Sequence, residues 1–523
     1  MKQISKILSI AAIFAIGALT IGCNSLKEEL EVPGTEPVSE KTITVTAMVG
    51  LDASTKALTA AGVKTFAAGE TIAVFYTNTS DALVKTTYTF TAGDLIDGGR
   101  KASITVSMTA PKAGGAVKYI YPNAMAKADG TVNYAALATQ DGTLATLAAN
   151  FDLATYDGSL TGEAALPASV TLSNQLAILA LNITDGSSDI SSSVRQLIVK
   201  NGANTITVNR TPAAGPVYIA MQPVTSGAIV FEAAKGKGLY TKTVSGKTLA
   251  AGEIYPVTLS TSQAPGLLSG LFSIDAEGHK VRFAQGNLQA YFASAGTAHT
   301  WRFATNQWES INNATANNAI NGSGSVSAAG AVDLFGWVGA SSSYNNYGIS
   351  NSAVYGDYGT PEGEPLKNDW GTLTISNGGN TSNSGWRTLT MDQWQYIFSS
   401  RTNALHLYGM GSVNGVAGII VLPDGCPLTL NYAHNNWNNN DLNLSTWTDT
   451  YEAAGAIFLP AAGKRHGTSI TDTSSYGYYW SSTAENSNTT SAYCVYFYYG
   501  SLNPANPKYR TYGHAVRLVK DAN

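Results

Sequence analysis

The sequence predicts a mainly β protein, and three observations carry that prediction. Of 523 residues only 13% are charged, about half the ~25% usual in soluble domains. Aromatic residues make up 10%, with 27 Tyr, and 52 Gly punctuate the chain. Short runs alternating apolar and polar at period two recur between Gly, Asp and Asn turns, the pattern of half-buried strands. Two function classes fall away at once. A net charge of −4 without a basic block excludes nucleic acid as a partner, since that needs clustered Lys and Arg. A hydrophobic fraction of 44% excludes a disordered chain.

Taken in order, residues 1–22 read as an export signal. Lys2 and Lys6 precede the apolar stretch 7–21, which is short of the ~20 residues a membrane-spanning helix needs. Thr20-Ile21-Gly22-Cys23 resembles a bacterial lipobox, with Thr20 where Leu is usual. The resemblance implies a lipidated Cys23 on the outer membrane, each buried CH₂ contributing about 0.8 kcal/mol. Residues 23–40 form an acidic tether, and Lys27-Glu28-Glu29 resembles the acidic export tag of surface lipoproteins. The remaining cysteines, Cys426 and Cys494, leave their pairing open, because connectivity is not readable from sequence.

All nine Trp lie between Trp301 and Trp480, and all six His between His279 and His514. Two regions of different composition follow: residues 41–261 and 271–523. Ser262-Gln263-Ala264-Pro265-Gly266 places a linker at 262–270. In the first region, strands are expected at 42–47, 73–76, 86–90, 102–106, 177–183, 196–199, 205–208, 217–220 and 229–232, consistent with sandwich architecture. The segments "TFAAGETIAVFYTN", "VKYIYPNAM", "LSNQLAILALNITD" and "LAAGEIYPVTLS" resemble the fimbrillin-like (type V pilin) surface lipoproteins. That resemblance implies two subdomains, each a transthyretin-like β-sandwich, and partners that are other pilins joined by strand exchange at an open sheet edge.

In the second region, Thr390-Met391-Asp392-Gln393 is a capping-box pattern opening a short helix, and Asp449-Thr450-Tyr451-Glu452 opens another that Gly455 ends. The Gly/Ser/Asn-rich stretches 312–330 and 377–385 read as long surface loops. "GWRTLTMDQWQYIF", "GVAGIIVLPDG", "EAAGAIFLPAAGKRHG", "GYYWSST" and "YGHAVRLV" occur in this order. Together they resemble the C-type-lectin-like, α+β domain of major-paralogous-domain proteins and of the variable proteins of diversity-generating retroelements. The resemblance implies a ligand face on the last strands and loops, with no obligatory calcium.

The residues themselves supply such a face. In a strand through 493–499, Cys494, Tyr496 and Tyr498 point one way, and Val495 and Phe497 the other. Val and Phe suit a core, which leaves two tyrosines and a thiol outward. Ser501, Asn503, Ala505, Asn506, Tyr509, Thr511 and Tyr512 continue the pattern, joined by His466, Thr468, Tyr476, Tyr478, Asn486 and Asn488. Cys, Tyr, Ser, Ala, Thr and His are all reachable from an Asn codon by changing its adenines. By the resemblance, such positions are the exchangeable ones. Tyr, Ser and Asn also dominate paratopes, where Tyr gives rigid amphipathic area at low entropy cost. The bland alternative is a tyrosine stripe that merely suits a pleated surface.

Trp480, Val516 and Arg517 read as structural, with Arg517 a paired charge holding the last strand. His466 and His514 read as polar scaffold rather than metal ligands. The run 435–441 has Asp441 as its one acid, too few carboxylates for calcium, and reads as a solvated loop. No metal or cofactor is expected. There is no HExxH and no GxSxG, and Gly246-Lys247-Thr248 lacks the upstream Gly of a phosphate loop. The formylglycine-generating enzymes share the lectin-like core, but their chemistry needs a closely spaced cysteine pair that Cys494 lacks. A glycosidase needs two facing carboxylates, and Asp392, Asp424, Glu452 and Glu485 form no pair in sequence. The expectation is a non-enzymatic, lipid-anchored surface adhesin of a pilus tip or standing alone, binding a protein or glycan ligand. The alternatives are a structural pilin with a spacer domain and, from another class, the modifying enzyme.

Overall fold

The structure is a computed structural model that describes residues 42–51, 65–161, 165–294, 299–311, 329–337, 369–432, 436–466, 469–488 and 490–522. Cys23, Thr468 and the loop stretch 312–328 lie outside the described residues. The protein is mainly β. All nine strands expected in the first region form, and the sequence reading missed others, among them Ala116–Tyr121, Ala154–Ser159, Ser169–Asn174 and Gly238–Leu249.

Eight strands make one row that runs from Leu83–Thr89 through Thr71–Thr77, Ala116–Tyr121 and Ala154–Ser159 to Ser169–Asn174, Thr42–Leu51, Lys101–Thr109 and Leu95–Ile96. The row folds over on itself, so that Ile72, Val74 and Tyr119 from one end share a core with Val49, Ile104 and Val106 from the other. A second row, from Ser188–Asp189 to Thr139–Gln140, closes around Leu179, Leu181, Val199, Ile219 and Phe231. Between the two lies a smaller core of Phe75, Ile120, Leu137, Leu147 and Ile178, which joins the two rows by apolar contact.

The expected linker is strand. Residues 262–268 finish the fifteen-residue strand Ile254–Leu268, and Tyr240↔Gln263, Thr241↔Ser262 and Gly238↔Leu268 pair it with Gly238–Leu249. Pro265 and Gly266 signal a bulge in a paired strand here, not slack chain. Side chains tighten the same seam. Arg282, 2% exposed, donates to the Glu232 carboxylate at 2.8 Å, and Lys200 reaches the other Glu232 oxygen at 2.9 Å. Lys237 Nζ donates to the Thr305 carbonyl at 3.0 Å.

The C-terminal region is built of small sheets of two to four strands around two aromatic-rich cores. One holds Phe283, Trp394, Phe398, Ile419, Tyr479, Val495 and Phe497. The other holds Trp301, Phe303, Trp337, Trp370, Trp386, Trp480 and Cys494. The capping box forms as read: Gln393 N donates to Thr390 Oγ1 at 3.2 Å and Thr390 N to Gln393 Oε1 at 3.1 Å. The second helix starts earlier than expected, at Leu444 with Asn443 as N-cap. Asp449–Glu452 then falls in its π-wound end, and Gly455 at φ +88° stops it. The run read as a solvated loop is exposed at Asn436, Asn438 and Asp441, with Asn435 outside the described residues, and has one buried exception. Asn440 is 8% exposed, and its amide bonds the Asn431 backbone and the Met410 carbonyl.

Candidate ligand-binding face

Tyr476–Ala484, Ser491–Tyr498 and Ser501–Tyr509 form a three-stranded antiparallel sheet in that order. Its pairs are Tyr476↔Tyr498, Tyr478↔Tyr496 and Trp480↔Cys494. Alternation sends Tyr479, Val495 and Phe497 into one core, all 0% exposed. Gly477 sits on that side opposite Phe497, where a Cβ would lie 1.9 Å from the Phe497 ring. Only glycine lets that ring cover the strand. This side of the sheet is locked.

The other side carries the tyrosines. Tyr496 lies 5.1 Å from Tyr478, 6.0 Å from Tyr476 and 5.6 Å from Tyr498, centroid to centroid, and Tyr476 lies 5.2 Å from Tyr498. Such spacings are within the range of favourable aromatic pairs. Tyr476, Tyr496 and Tyr498 are half-buried, each keeping a wet edge. Burial, with the neighbouring tyrosines second, raises the Tyr496 phenol above its ordinary value, so that ring stays a neutral hydrogen-bonding group. Ser501 pairs with Tyr498 and Asn503 with Tyr496, so both extend the same side. A register shift between Cys494 and Tyr496 then brings Asn506 opposite Cys494, with half-buried Ala505 between them in sequence.

Three charged groups that the sequence reading did not single out frame the rings. Lys508 Nζ stands 4.8 Å from the Tyr496 centroid and 6.0 Å from Tyr478. Lys464 Nζ stands 5.5 Å from Tyr478 and 5.6 Å from Tyr512. Asp472 accepts from the Tyr478 hydroxyl at 3.1 Å and pairs with Lys464 at 3.1 Å. Lysine over a ring face is a cation–π arrangement. A second aromatic group adjoins through Lys464: Tyr512 lies 5.0 Å from His466 and 5.6 Å from Tyr509, with Tyr509 49% exposed and Thr511 half-buried beside it. The alternation that found the tyrosines could have found Lys508, since it lies two positions after Asn506 and opposite Ala492, on the side of Cys494, Tyr496 and Tyr498. Lys464 and Asp472 arrive from another hairpin, and no local signal marks them.

Beneath the rings lies His514, fully buried, 4.9 Å from Tyr478 and 4.1 Å from Trp480. Neither ring nitrogen has a hydrogen-bond partner among the described residues. Burial first, then the charges of Lys508, Lys464 and Arg465, hold it well below its ordinary pKa, so it is a neutral slab. Arg465, also buried, donates to the Leu334 carbonyl at 2.8 Å, and burial pushes it down to about 10.

Four expected face residues are placed elsewhere. Cys494, expected to point outward, is 0% exposed, and burial raises its thiol. Tyr478 is 3% exposed. Both belong to the Trp-rich core with Trp337, Trp480 and Ala492, because that core covers one half of the tyrosine side and leaves the other half open. Alternation assigns a side chain to a side; it does not say whether that side is covered. Asn486 and Asn488 sit in the turn at the Ala484–Ala492 end, roughly 25 Å along the strands from Tyr476 at ~3.3 Å per residue. There Asn488 serves the turn itself, accepting from Thr490 N at 3.0 Å. Cys426 and Cys494 are both free thiols, which settles their pairing.

Trp480 is buried as expected, its indole donating to the Phe335 carbonyl at 2.7 Å. Arg517 is buried too, but its partners are the Phe458 carbonyl at 2.6 Å and Gln307 Oε1 at 2.9 Å rather than a carboxylate in direct contact. Gln307 Nε2 carries the chain on to Glu452 at 3.1 Å.

A family model described as a domain of unknown function (DUF8237) matches residues 429–519, a span that contains the whole tyrosine sheet. Comparison with curated proteins gives no match. Among solved structures, a fimbrial assembly protein from Parabacteroides distasonis is similar at 10% identity and TM-score 0.26, over 47% of this chain and 96% of its own. The minor pilin GBS52 of Streptococcus agalactiae is similar at 11% identity and TM-score 0.19, over 42% of this chain and 96% of its own.

Proposed function

We propose that the chain is a lipid-anchored, cell-surface adhesin, at a pilus tip or standing alone, whose C-terminal domain binds its ligand through the tyrosine face while residues 41–261 form its fimbrillin-like base. One observation carries the reading. Tyr476, Tyr496 and Tyr498 are half-exposed on a sheet whose opposite side is wholly packed through Tyr479, Val495 and Phe497. Side chains on such a face are exchangeable at little cost to the fold, because the core that fixes the sheet is on the other side. Tyr, Ser and Asn there supply flat amphipathic area and adaptable hydrogen bonding. Anchoring rests on Cys23 and the lipobox-like sequence before it.

The test is a protein and glycan array probed with the full chain and with a Tyr496→Ala/Tyr498→Ala variant. The expected result is a hit that the variant loses while its melting temperature moves little. A variant that binds every wild-type hit equally well would overturn the face. Anchoring is tested apart, by palmitate labelling of wild type and Cys23→Ser: equal labelling sinks it. The spacer reading has one observation in its favour, the strand and buried ion pair that fix the C-terminal domain rigidly to the sandwich before it. A blank array with intact pilus assembly would select that reading.

A further inference from the structure

Lys508 differs from the other cation on the tyrosine face. Lys464 is held by the Asp472 carboxylate at 3.1 Å. Lys508 has no carboxylate partner among the described residues; its recorded neighbours are the rings of Tyr496 and Tyr478, at 4.8 and 6.0 Å. The sheet's third strand sets that position: Lys508 pairs with Ala492, whose methyl group is too small to reach it. His514, directly below Tyr478, is neutral by burial, and Asp472 is spent on Lys464 and Tyr478. The open part of the face is therefore aromatic, hydroxylated and singly positive.

Resting on the adhesin reading above, we propose that this face takes an acidic saccharide, with Lys508 pairing the carboxylate or sulfate group and the tyrosines taking the sugar ring. The chemistry is complementary. A pyranose presents an apolar C–H face for an aromatic ring and equatorial hydroxyls for Tyr, Ser501 and Asn503, and offers no bulky aliphatic group that would need a deep pocket. A cation already desolvated on one side by two rings gives up less water when it meets an anion. The chain's net charge of −4 works against indiscriminate polyanion binding, so attraction must be local.

Affinity electrophoresis of the full chain tests this with polygalacturonate, dextran sulfate, neutral dextran and a dT oligonucleotide in separate gels. Polygalacturonate or dextran sulfate should retard the protein at least about tenfold more strongly than dextran, as a charge-assisted contact predicts, and the stronger of the two distinguishes carboxylate from sulfate. Lys508→Gln should lose that difference, Lys508→Arg should keep most of it, and Tyr496→Ala should weaken both. Lys247→Gln, an exposed lysine on the second sandwich, should change nothing. Retardation should fade as salt shortens the screening length. Dextran bound as well as the acidic polymers, or Lys508→Gln behaving as wild type, overturns the acidic ligand while a Tyr496→Ala loss would leave the face standing. Equal retardation by dT overturns the saccharide, and absence of retardation by both acidic polymers overturns the proposal outright. If neither Tyr496→Ala nor Lys508→Gln alters any retardation that is seen, the face falls as well.

Discussion

In residues 42–261 the buried side chains are nearly all apolar, and the few polar ones, such as Gln140 and Ser191, bond to nearby backbone. In residues 262–522 the interior also holds Arg282, Arg401, Arg465, Arg510, Arg517 and His514, together with Gln307, Asp333 and Glu452. The difference follows from how each region satisfies its backbone. Long strands such as Val224–Lys235 and Gly238–Leu249 spend their N–H and C=O groups on one another. Short strands and buried loops leave carbonyls over, and a buried carbonyl without a donor is costly. Side chains supply the donors: Arg465 to Leu334, Arg517 to Phe458, Trp337 to Ser481, Trp480 to Phe335. The ladder-built half tolerates a sparse interior chemistry, whereas the loop-built half depends on individual polar residues.

That contrast breaks most visibly at Arg517. Arg517→Ala strips a donor from the Phe458 carbonyl and isolates the Gln307–Glu452 pair, and should destabilise the C-terminal region by about 3–5 kcal/mol. A matched change in the first half, Gln140→Ala, should cost about 1–2 kcal/mol; equal effects in urea unfolding would remove the distinction. The seam comes next. Glu232→Gln leaves the buried Arg282 guanidinium with a neutral partner, at a cost of about 2 kcal/mol, and calorimetry should show the two regions beginning to melt apart. A single unshifted transition would mean the strand Ile254–Leu268 alone couples them.

The acid response should separate the halves in a smaller way. His514 titrates lower when folded than when unfolded, so below about pH 6.5 the unfolded chain binds a proton that the folded chain refuses. Stability from this group is complete above that pH and falls on acidification, by at most about 1.4 kcal/mol per pH unit. His514→Phe should flatten that part of the profile; an unchanged slope would show that another group sets it. Smallest is the face itself. Tyr496→Ala with Tyr498→Ala should cost about 1 kcal/mol, the value of a few exposed ring pairs, measured by thermal melting. A loss several times larger would make these tyrosines core.

Period-two alternation found the strands and correctly sorted Val495 and Phe497 from Tyr496 and Tyr498, because a strand leaves its side chains no other choice. It misjudged Cys494 and Tyr478, which share the tyrosine side. Their cover comes from Trp337 and His514, distant in sequence, and alternation carries no information about distant cover. Pro265 and Gly266 read as slack for a related reason: turn chemistry is local, while the partner strand at Gly238–Leu249 is not. The capping box at Thr390 was legible because both partners sit within three residues.

By itself the sequence determined the β class, the change of composition near residue 262 and the inward and outward sides of the last sheet, all consequences of covalent geometry and of apolar groups leaving water. Tertiary structure alone decided how much of the outward side stays wet, that Lys464, Asp472 and Lys508 gather around the rings, and that Arg517 serves a carbonyl. Those outcomes depend on which distant segments meet, and local chain chemistry leaves that meeting unspecified.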